Sequence, residues 1–273
     1  MLFQIGKVAK LLGMSSEGLR LYERAGIFKP QRGEDEQSYR TYEHLDFTTL
    51  IWARGYHYTG FSTKEIAAMI HAKEISFVTD LYDRRIGELE EELHWKTLLL
   101  ENLREVNALC AGAEERLDQI SFVTQPAMYR FPFIRDKQYV LTREQEKAFQ
   151  QWLSKAPFVF VSQGNDWEQL LGGTPQVTSA LGVLEEQAKA LELDLQWAEY
   201  CPACPALHTV IRESGEGFTP LQCLKPLMDH VASHNYSVTG DPISKGFLSL
   251  NKNENYTRFR EVWLPVEKKE ICP

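Results

Sequence analysis

The stretch 5–25 constrains the fold of this chain most, because it joins an apolar stripe to a second short helix through a glycine. The stripe consists of Ile5, Val8, Ala9, Leu11 and Leu12, whose spacings place them on one side of a helix. Gly13 supplies a turn, and Ser15 or Ser16 is suited to cap a second helix over 17–25. The pattern therefore predicts two short helices around a tight turn, the layout of a helix-turn-helix.

A hairpin is predicted directly after these helices. Lys29 and Pro30 open a turn, and the polar stretch 31–37 separates two short extended segments. The second segment, 38–42, alternates aromatic side chains with basic or hydroxyl-bearing ones. A hairpin of this kind beside a recognition helix is called a wing. It can place arginine guanidinium groups and tyrosine hydroxyl groups along a phosphate backbone.

Four sequence blocks together resemble the winged-helix head of the MerR family of transcription regulators. They are IG-VAKLLGMS, LRLYERAGIFKP, SYRTY and GFSTKEIAAMI, in this order over roughly seventy residues. In the last block, Ser62 or Thr63 is placed to cap a helix, with Glu65 completing the capping interaction.

The resemblance implies a homodimer that binds double-stranded promoter DNA, works with RNA polymerase holoenzyme, and activates by distorting the promoter. It assigns DNA contacts to Ser15, Ser16, Glu17, Arg20 and Tyr22 in the recognition helix, and to Tyr39, Arg40 and Tyr42 in the wing. The family often has two adjacent tyrosines where this chain has Leu21 and Tyr22, so one hydroxyl contact is missing.

Length and composition favour a soluble, cytoplasmic protein of two modest domains and a connector. The 273 residues are 43% hydrophobic and 25% charged, and no apolar stretch is long enough for a bilayer. We therefore expect no membrane partner. The five cysteines are an odd number and unevenly spread, which favours a reducing compartment over a disulfide framework.

The net charge of −8 is unevenly distributed along the chain. Residues 1–75 carry ten Lys and Arg against nine Asp and Glu, whereas residues 76–120 carry five against eleven. Residues 121–273 carry fifteen against eighteen. The head is therefore close to neutral, and we expect specific contacts and dimer geometry, rather than a basic patch, to determine its DNA binding.

Three regions follow from these patterns, and the fold class is α+β. Residues 1–75 form the winged-helix domain, and residues 76–120 form one long helix. That helix carries an apolar seam at alternating spacings of three and four, starting at Ile86, Leu89 and Leu93, which predicts a coiled coil for dimerisation. Residues 121–273 form a third region of short strands and helices.

The sequence pattern of the third region indicates two similar halves, that is, an internal repeat. The first half has Pro-Ala at 126–127, a strand, a helix over 143–153 and a strand over 158–164. The second has Pro-Ala at 205–206, a strand, a helix over 220–234 and a strand over 236–240, before a closing strand over 258–266. With its ending EVWLPV, the region resembles the GyrI-like effector domain of multidrug-sensing MerR activators, which implies a small lipophilic, cationic effector.

Four residues are expected to bind that effector: Glu261, Trp263, Phe158 and Phe218. Glu261 shares a strand face with Trp263, and a carboxylate there is costly to bury unless a cation supplies the missing charge. A salt bridge to Arg258 or Arg260 is the alternative explanation for Glu261. Phe158 and Phe218 align with aromatic pocket walls in the resembling domains.

Two other functions remain open at this stage. Some GyrI-like domains are small-molecule hydrolases, and a buried glutamate such as Glu261 is suited to acid or base chemistry. Cys201 and Cys204 have the spacing of a soft-metal thiolate pair, although no second such pair exists in the sequence. We expect neither an enzyme nor a resident cofactor or metal, and we assign no catalytic residue.

Overall fold

The computed structural model describes residues 3–30, 41–214, 221–252 and 255–269. The chain divides into two compact units, Met1–Lys96 and Thr97–Pro273. Among the residues described, no helix combines the length and the apolar character that crossing a bilayer requires.

The first unit begins with the predicted pair of short helices. Its elements are β1 (Phe3–Gln4), α1 (Ile5–Leu12), α2 (Ser16–Arg24), β2 (Thr41–Tyr42), α3 (His44–Tyr58), α4 (Thr63–Ile70) and the start of α5 (Ile75–Ala111). Gly13 ends α1 in the left-handed region at φ 59°, where a residue without Cβ meets little steric penalty. The Ser15 hydroxyl caps α2 by accepting a hydrogen bond from the Gly18 N–H at 3.0 Å.

One hydrophobic core holds the first unit together. The apolar stripe of α1 contributes Val8, Ala9 and Leu12, and α3 and α4 contribute Leu50, Ala53, Ile66 and Met69. The capping box predicted for α4 is confirmed: the Ser62 N–H donates to Glu65 Oε2 at 2.8 Å, and the Glu65 N–H donates to Ser62 Oγ at 3.3 Å. The Ser62 hydroxyl also donates to Glu65 Oε2, at 2.7 Å, and this bond, with the one from the Ser62 N–H, holds the pKa of the Glu65 carboxyl below its usual value.

The long helix α5 ends earlier than its sequence pattern predicts. The seam was expected to continue to Ile120, but α5 ends at Ala111, and a bridge then places Leu117 beside Val210. The cause is tertiary, because Asp118 N–H bonds to the Val210 carbonyl instead of continuing the helix. The start of the predicted seam, at Ile86, Leu89 and Leu93, is exposed on the chain.

The second unit is a sheet with helices packed on it. Its elements after α5 are β3 (Ser121–Gln125), β4 (Met128–Arg135), β5 (Gln138–Tyr139), α6 (Arg143–Leu153), β6 (Phe160–Asn165), α7 (Trp167–Leu171), β7 (Val177–Leu184), α8 (Glu185–Ala190), β8 (Glu199–Cys201), β9 (Cys204–Ser214), α9 (Leu221–Ser233), β10 (Tyr236–Val238), β11 (Ile243–Lys252) and β12 (Asn255–Lys268).

The strand order shows the internal repeat that the sequence suggested. The main path is β3-β9-β12-β11-β6-β7-β4-β5, so β4-α6-β6-β7 and β9-α9-β11-β12 are two halves with the same topology. The antiparallel pair β6·β11 joins them at the centre. One prediction is corrected: the counterpart of β6 is β11, and not the strand at 236–240, because β10 pairs at the far end of β12.

The two faces of this sheet have different environments. On one face, α6 packs through Trp152 against Phe131 and Leu181, and α9 packs through Leu224 and Leu227 against strands β9 and β12. Successive residues of a strand point to opposite faces. Val262 and Leu264 of β12 therefore face α9, while Glu261 and Trp263 face the other side.

Candidate functional site

The exposed face of α2 carries a cluster of charges. Glu17 Oε1 lies 2.7 Å from Arg24 Nη2, and Glu17 Oε2 lies 3.5 Å from Arg20 Nη1. All three side chains are more than half exposed, so their mutual attraction is weak in water. The two guanidinium groups therefore remain on the surface, where a charged partner can reach them.

The serines predicted to contact DNA lie at the start of the same helix. Ser15 is exposed and uses its hydroxyl oxygen as the helix cap, while Ser16 is half-buried in the first turn. The first-turn N–H groups and the positive end of the helix dipole lie at this point, which favours a phosphate oxygen nearby.

The two described tyrosines assigned to DNA belong instead to the core. Tyr22 is 5% exposed and Tyr42 is fully buried, with its ring 5.7 Å from that of Phe28. Tyr22 lies three residues after Leu19, so both side chains face α1, and pairing of β1 with β2 places Tyr42 opposite Phe3. The prediction that these tyrosines contact DNA is therefore corrected: their side chains hold the domain together.

Three other predicted site residues lie outside the described residues. They are Tyr39 and Arg40, predicted for a wing, and Phe218, predicted for an effector site.

Sequence reasoning missed Arg54, which connects α3 to the turn between α1 and α2. Its Nη1 donates to the Gly13 carbonyl at 3.1 Å, its Nη2 contacts the Tyr58 hydroxyl, and its guanidinium lies over the Tyr58 ring. Burial raises the pKa of the Tyr22 hydroxyl, and Arg54 opposes that rise. A basic residue forty-one positions from the turn gives no local signal of this contact.

Glu261 is nearly buried in the second unit, with 12% of its side chain exposed. Its Oε1 lies 3.3 Å from His208 Nε2, and within the described part of the chain the two groups do not meet hydrogen-bond geometry. The alternative partners Arg258 and Arg260 lie at even positions of β12 and point to the opposite face.

Lys245 lies directly opposite Glu261 in the register of β11 and β12. Its ammonium group is nevertheless engaged elsewhere, 2.5 Å from Glu105 Oε1 of α5 and over the Phe160 ring. Trp263 is buried and its ring lies 5.3 Å from that of His208. The face thus brings together one carboxylate, an imidazole, an indole and a lysine already paired with a different acid.

Phe158 lines a neighbouring cleft of about 260 Å³. The cleft lies between α5 and α8, and its walls include the carboxylates of Glu101, Glu105 and Glu186. Apolar residues complete it, among them Leu98 and Leu191. Glu105 is shared, because it lines the cleft and also pairs with Lys245.

The cysteine pair lies between two strands. Cys201 ends β8 and Cys204 begins β9, so the two flank a turn, and burial raises the pKa of both thiols. Across the described ranges, no group of three His, Cys, Asp or Glu side chains is placed to hold a metal.

The glycine turn between α1 and α2, with the charged outer face of α2, defines a helix-turn-helix protein. Residues 3–73 match the family described as MerR HTH family regulatory protein. An uncharacterized HTH-type transcriptional regulator of Synechocystis is 30% identical over 112 residues, which are 39% of this chain and 80% of that protein. The chain belongs to the MerR family.

Two more relatives are regulators named for metals. The heavy metal-dependent transcription regulator 2 of Rhizobium meliloti is 30% identical over 113 residues, 40% of this chain and 76% of that protein. The mercuric resistance operon regulatory protein of Bacillus cereus is 27% identical over 118 residues, 42% of this chain and 86% of that protein.

Solved structures resemble the chain only loosely. The EcmrR–DNA complex overlaps 98% of this chain and 100% of its own, at 18% identity and a TM-score of 0.38. A hydrolase from Listeria innocua overlaps 56% of this chain and 93% of its own, at 9% identity and a TM-score of 0.35.

Proposed function

We propose that the protein is a DNA-binding transcription regulator whose second unit senses a small lipophilic cation. The proposal of DNA binding rests on the exposed side chains of Glu17, Arg20 and Arg24, which lie on the second helix of the MerR-family domain. In helix-turn-helix proteins that helix enters the major groove and its N-terminal residues contact base edges. Ser15, Ser16, Glu17 and Arg20 are the contacts we propose within the described residues, joined by Tyr39 and Arg40 from the wing.

The regulator acts as a homodimer through α5. Ile86, Leu89 and Leu93 follow one another at coiled-coil spacing and are at least 44% exposed on the single chain. A row of exposed leucines and isoleucine on a long helix is stabilised by a partner that covers it. A two-fold dimer also matches two half-sites on promoter DNA.

Light scattering coupled to gel filtration tests the dimer. The wild-type chain is expected at twice its 31.5 kDa mass, and Leu89→Glu with Leu93→Glu at the monomer mass. Glu90→Ala and Glu91→Ala, on the same helix, are the matched control and should remain dimeric. A wild-type monomer at micromolar concentration would contradict this part of the proposal.

The effector site combines the Glu261 face with the cleft beside Phe158. Glu261 is nearly buried, and the facing Lys245 is held by Glu105, so Glu261 lacks a full countercharge. Three further carboxylates line the cleft together with apolar side chains. Both features favour a ligand with an apolar body and a positive charge.

Ligand binding would control transcription by shifting the dimer between two conformations that deform promoter DNA differently. Bending and untwisting a promoter costs on the order of 1–6 kcal/mol. A ligand shifts such an equilibrium only by its differential affinity for the two states. Membership of a family of regulatory proteins favours this role over that of an enzyme.

A thermal-shift titration tests the effector site with tetraphenylphosphonium as cation and triphenylphosphine oxide as its neutral counterpart. The cation should stabilise the wild type, by about 2.7 kcal/mol at a hundred times its Kd. Glu261→Gln should abolish the shift, whereas Glu267→Gln, at an exposed position of the same strand, should retain it. Equal shifts in both variants, or with both compounds, would reject the site.

A further inference from the structure

A second cleft opens on the other face of the sheet, where α6 and α9 pack. It has a volume of about 570 Å³ and lies over the central strands β6 and β11. This volume is within the range of small-molecule sites, roughly 300–1,000 Å³. Its walls are largely apolar and include Phe133, Val161, Phe247 and Leu248.

The charged groups of this cleft are positive. Arg258 and Arg260 both line it, and as alternate residues of β12 they point to the same face. Within the described ranges, no aspartate or glutamate is among its lining residues. Glu213 forms an ion pair with Arg260.

Arg260 has hydrogen-bonding capacity that the described residues do not use. Only 4% of its side chain is exposed, and its Nε donates to Glu213 Oε2 at 3.1 Å. Its Nη1 is also buried, and within the described residues it has no hydrogen-bond partner. A buried donor without a partner destabilises the fold, and more so when it is charged. An acceptor entering the cleft would remove that destabilisation.

We propose that this cleft binds an amphipathic carboxylate, that is, an organic acid with an apolar or aromatic body. The carboxylate would accept a hydrogen bond from Arg260 Nη1, as carboxylates do in charge-assisted arginine–carboxylate pairs. The apolar body would lie against Phe133 and Phe247. The site is independent of the cation site proposed above, because Glu261 and Arg260 are adjacent in β12 and face opposite sides of the sheet.

Isothermal titration calorimetry on the full chain tests this site with three matched probes. These are 4-phenylbutyrate as the acid, 4-phenylbutanamide as its neutral counterpart, and 4-phenylbutylamine as its cation. The acid should bind at least ten-fold more tightly than either of the others. Failure of the acid to bind at millimolar concentration, or equal binding of acid and amide, would overturn the proposal.

Two variants locate the binding. Arg260→Met with Glu213→Leu removes the charged pair together, so no single charge stays buried, and it should weaken acid binding at least ten-fold. Ser249→Glu places a competing carboxylate at the exposed rim of the cleft and should also weaken it, even if the double variant fails to fold. Glu261→Gln should bind the acid like the wild type. Unchanged acid affinity in Ser249→Glu, or lost affinity in Glu261→Gln, would overturn the assignment.

Discussion

The two units of this protein use charge in opposite ways. In the first, the side chains of Glu17, Arg20 and Arg24 on α2 are 51–66% exposed and their ion pairs are surface contacts. In the second, Arg260 and Glu213 are 4% and 2% exposed, and Lys245 is 10% exposed. Surface charges suit a large polyanion whose counterions are released on binding. Buried charges each carry a desolvation cost, and they suit a small ligand that completes their pairing.

The sharpest way to break this comparison is to remove one member of the buried pair. Glu213→Leu leaves the Arg260 guanidinium buried without its counterion, and should lower the free energy of unfolding by roughly 3–5 kcal/mol. Chemical denaturation measures the loss. The double variant Glu213→Leu with Arg260→Met should recover most of it, and a single variant as stable as the wild type would show that the pair is not buried in solution.

The second prediction concerns the exposed arginines. Arg20→Ala should weaken binding to a selected DNA duplex about ten-fold and reduce the salt slope by about one, as for the loss of one phosphate or base contact. Fluorescence anisotropy over a salt series measures both quantities. Arg104→Ala, an exposed arginine of α5, is the matched control and should bind like the wild type. Equal affinities for both variants would remove α2 from the DNA interface.

Glu65 is intermediate between the exposed charges of α2 and the buried pair of Arg260 and Glu213. Its side chain is partly exposed, and its carboxylate accepts hydrogen bonds from Ser62. Its pKa is lowered in the folded state, so its contribution to stability is present above the unfolded-state pKa and is lost as pH falls through the folded value. Glu65→Gln should lower the free energy of unfolding by about 0.5–1 kcal/mol at neutral pH. It should also remove the loss of stability that Glu65 causes as the pH falls. Denaturation at several pH values checks it, and an unchanged acid profile in Glu65→Gln would contradict it.

The smallest effect is expected at the surface pair of α2. Glu17→Ala removes contacts to Arg20 and Arg24, yet exposed pairs contribute roughly 0–1 kcal/mol. The free energy of unfolding should therefore change by less than 1 kcal/mol. A loss comparable to that of Glu213→Leu would mean that the contrast between the two units is wrong.

The sequence predicted those helices whose apolar spacing and capping residues lie close together in the chain. The helix over 143–153 and the capping box of α4 were readable from spacing and capping residues alone. Tyr22 could have been placed in the core, because it follows Leu19 by three positions on an amphipathic helix. Its side chain is 5% exposed, as that position on the helix implies.

Contacts between residues far apart in the chain could not be predicted from the sequence. The partner of Glu261 is His208, fifty-three positions away, and only the register of β9 and β12 brings the two together. The early end of α5 likewise depends on a bond from Asp118 to Val210 in β9. The basic cleft could not be predicted either, since it forms only where the two halves of the repeat meet.

The affinity of the full chain for DNA, measured over a series of salt concentrations, tests the central claim most directly. A duplex selected from a random library should bind at least a thousand-fold more tightly than a scrambled one at physiological salt. The logarithm of that affinity should fall linearly with the logarithm of salt concentration. No preference for the selected duplex at any salt concentration would contradict the assignment of the first unit as a specific DNA reader.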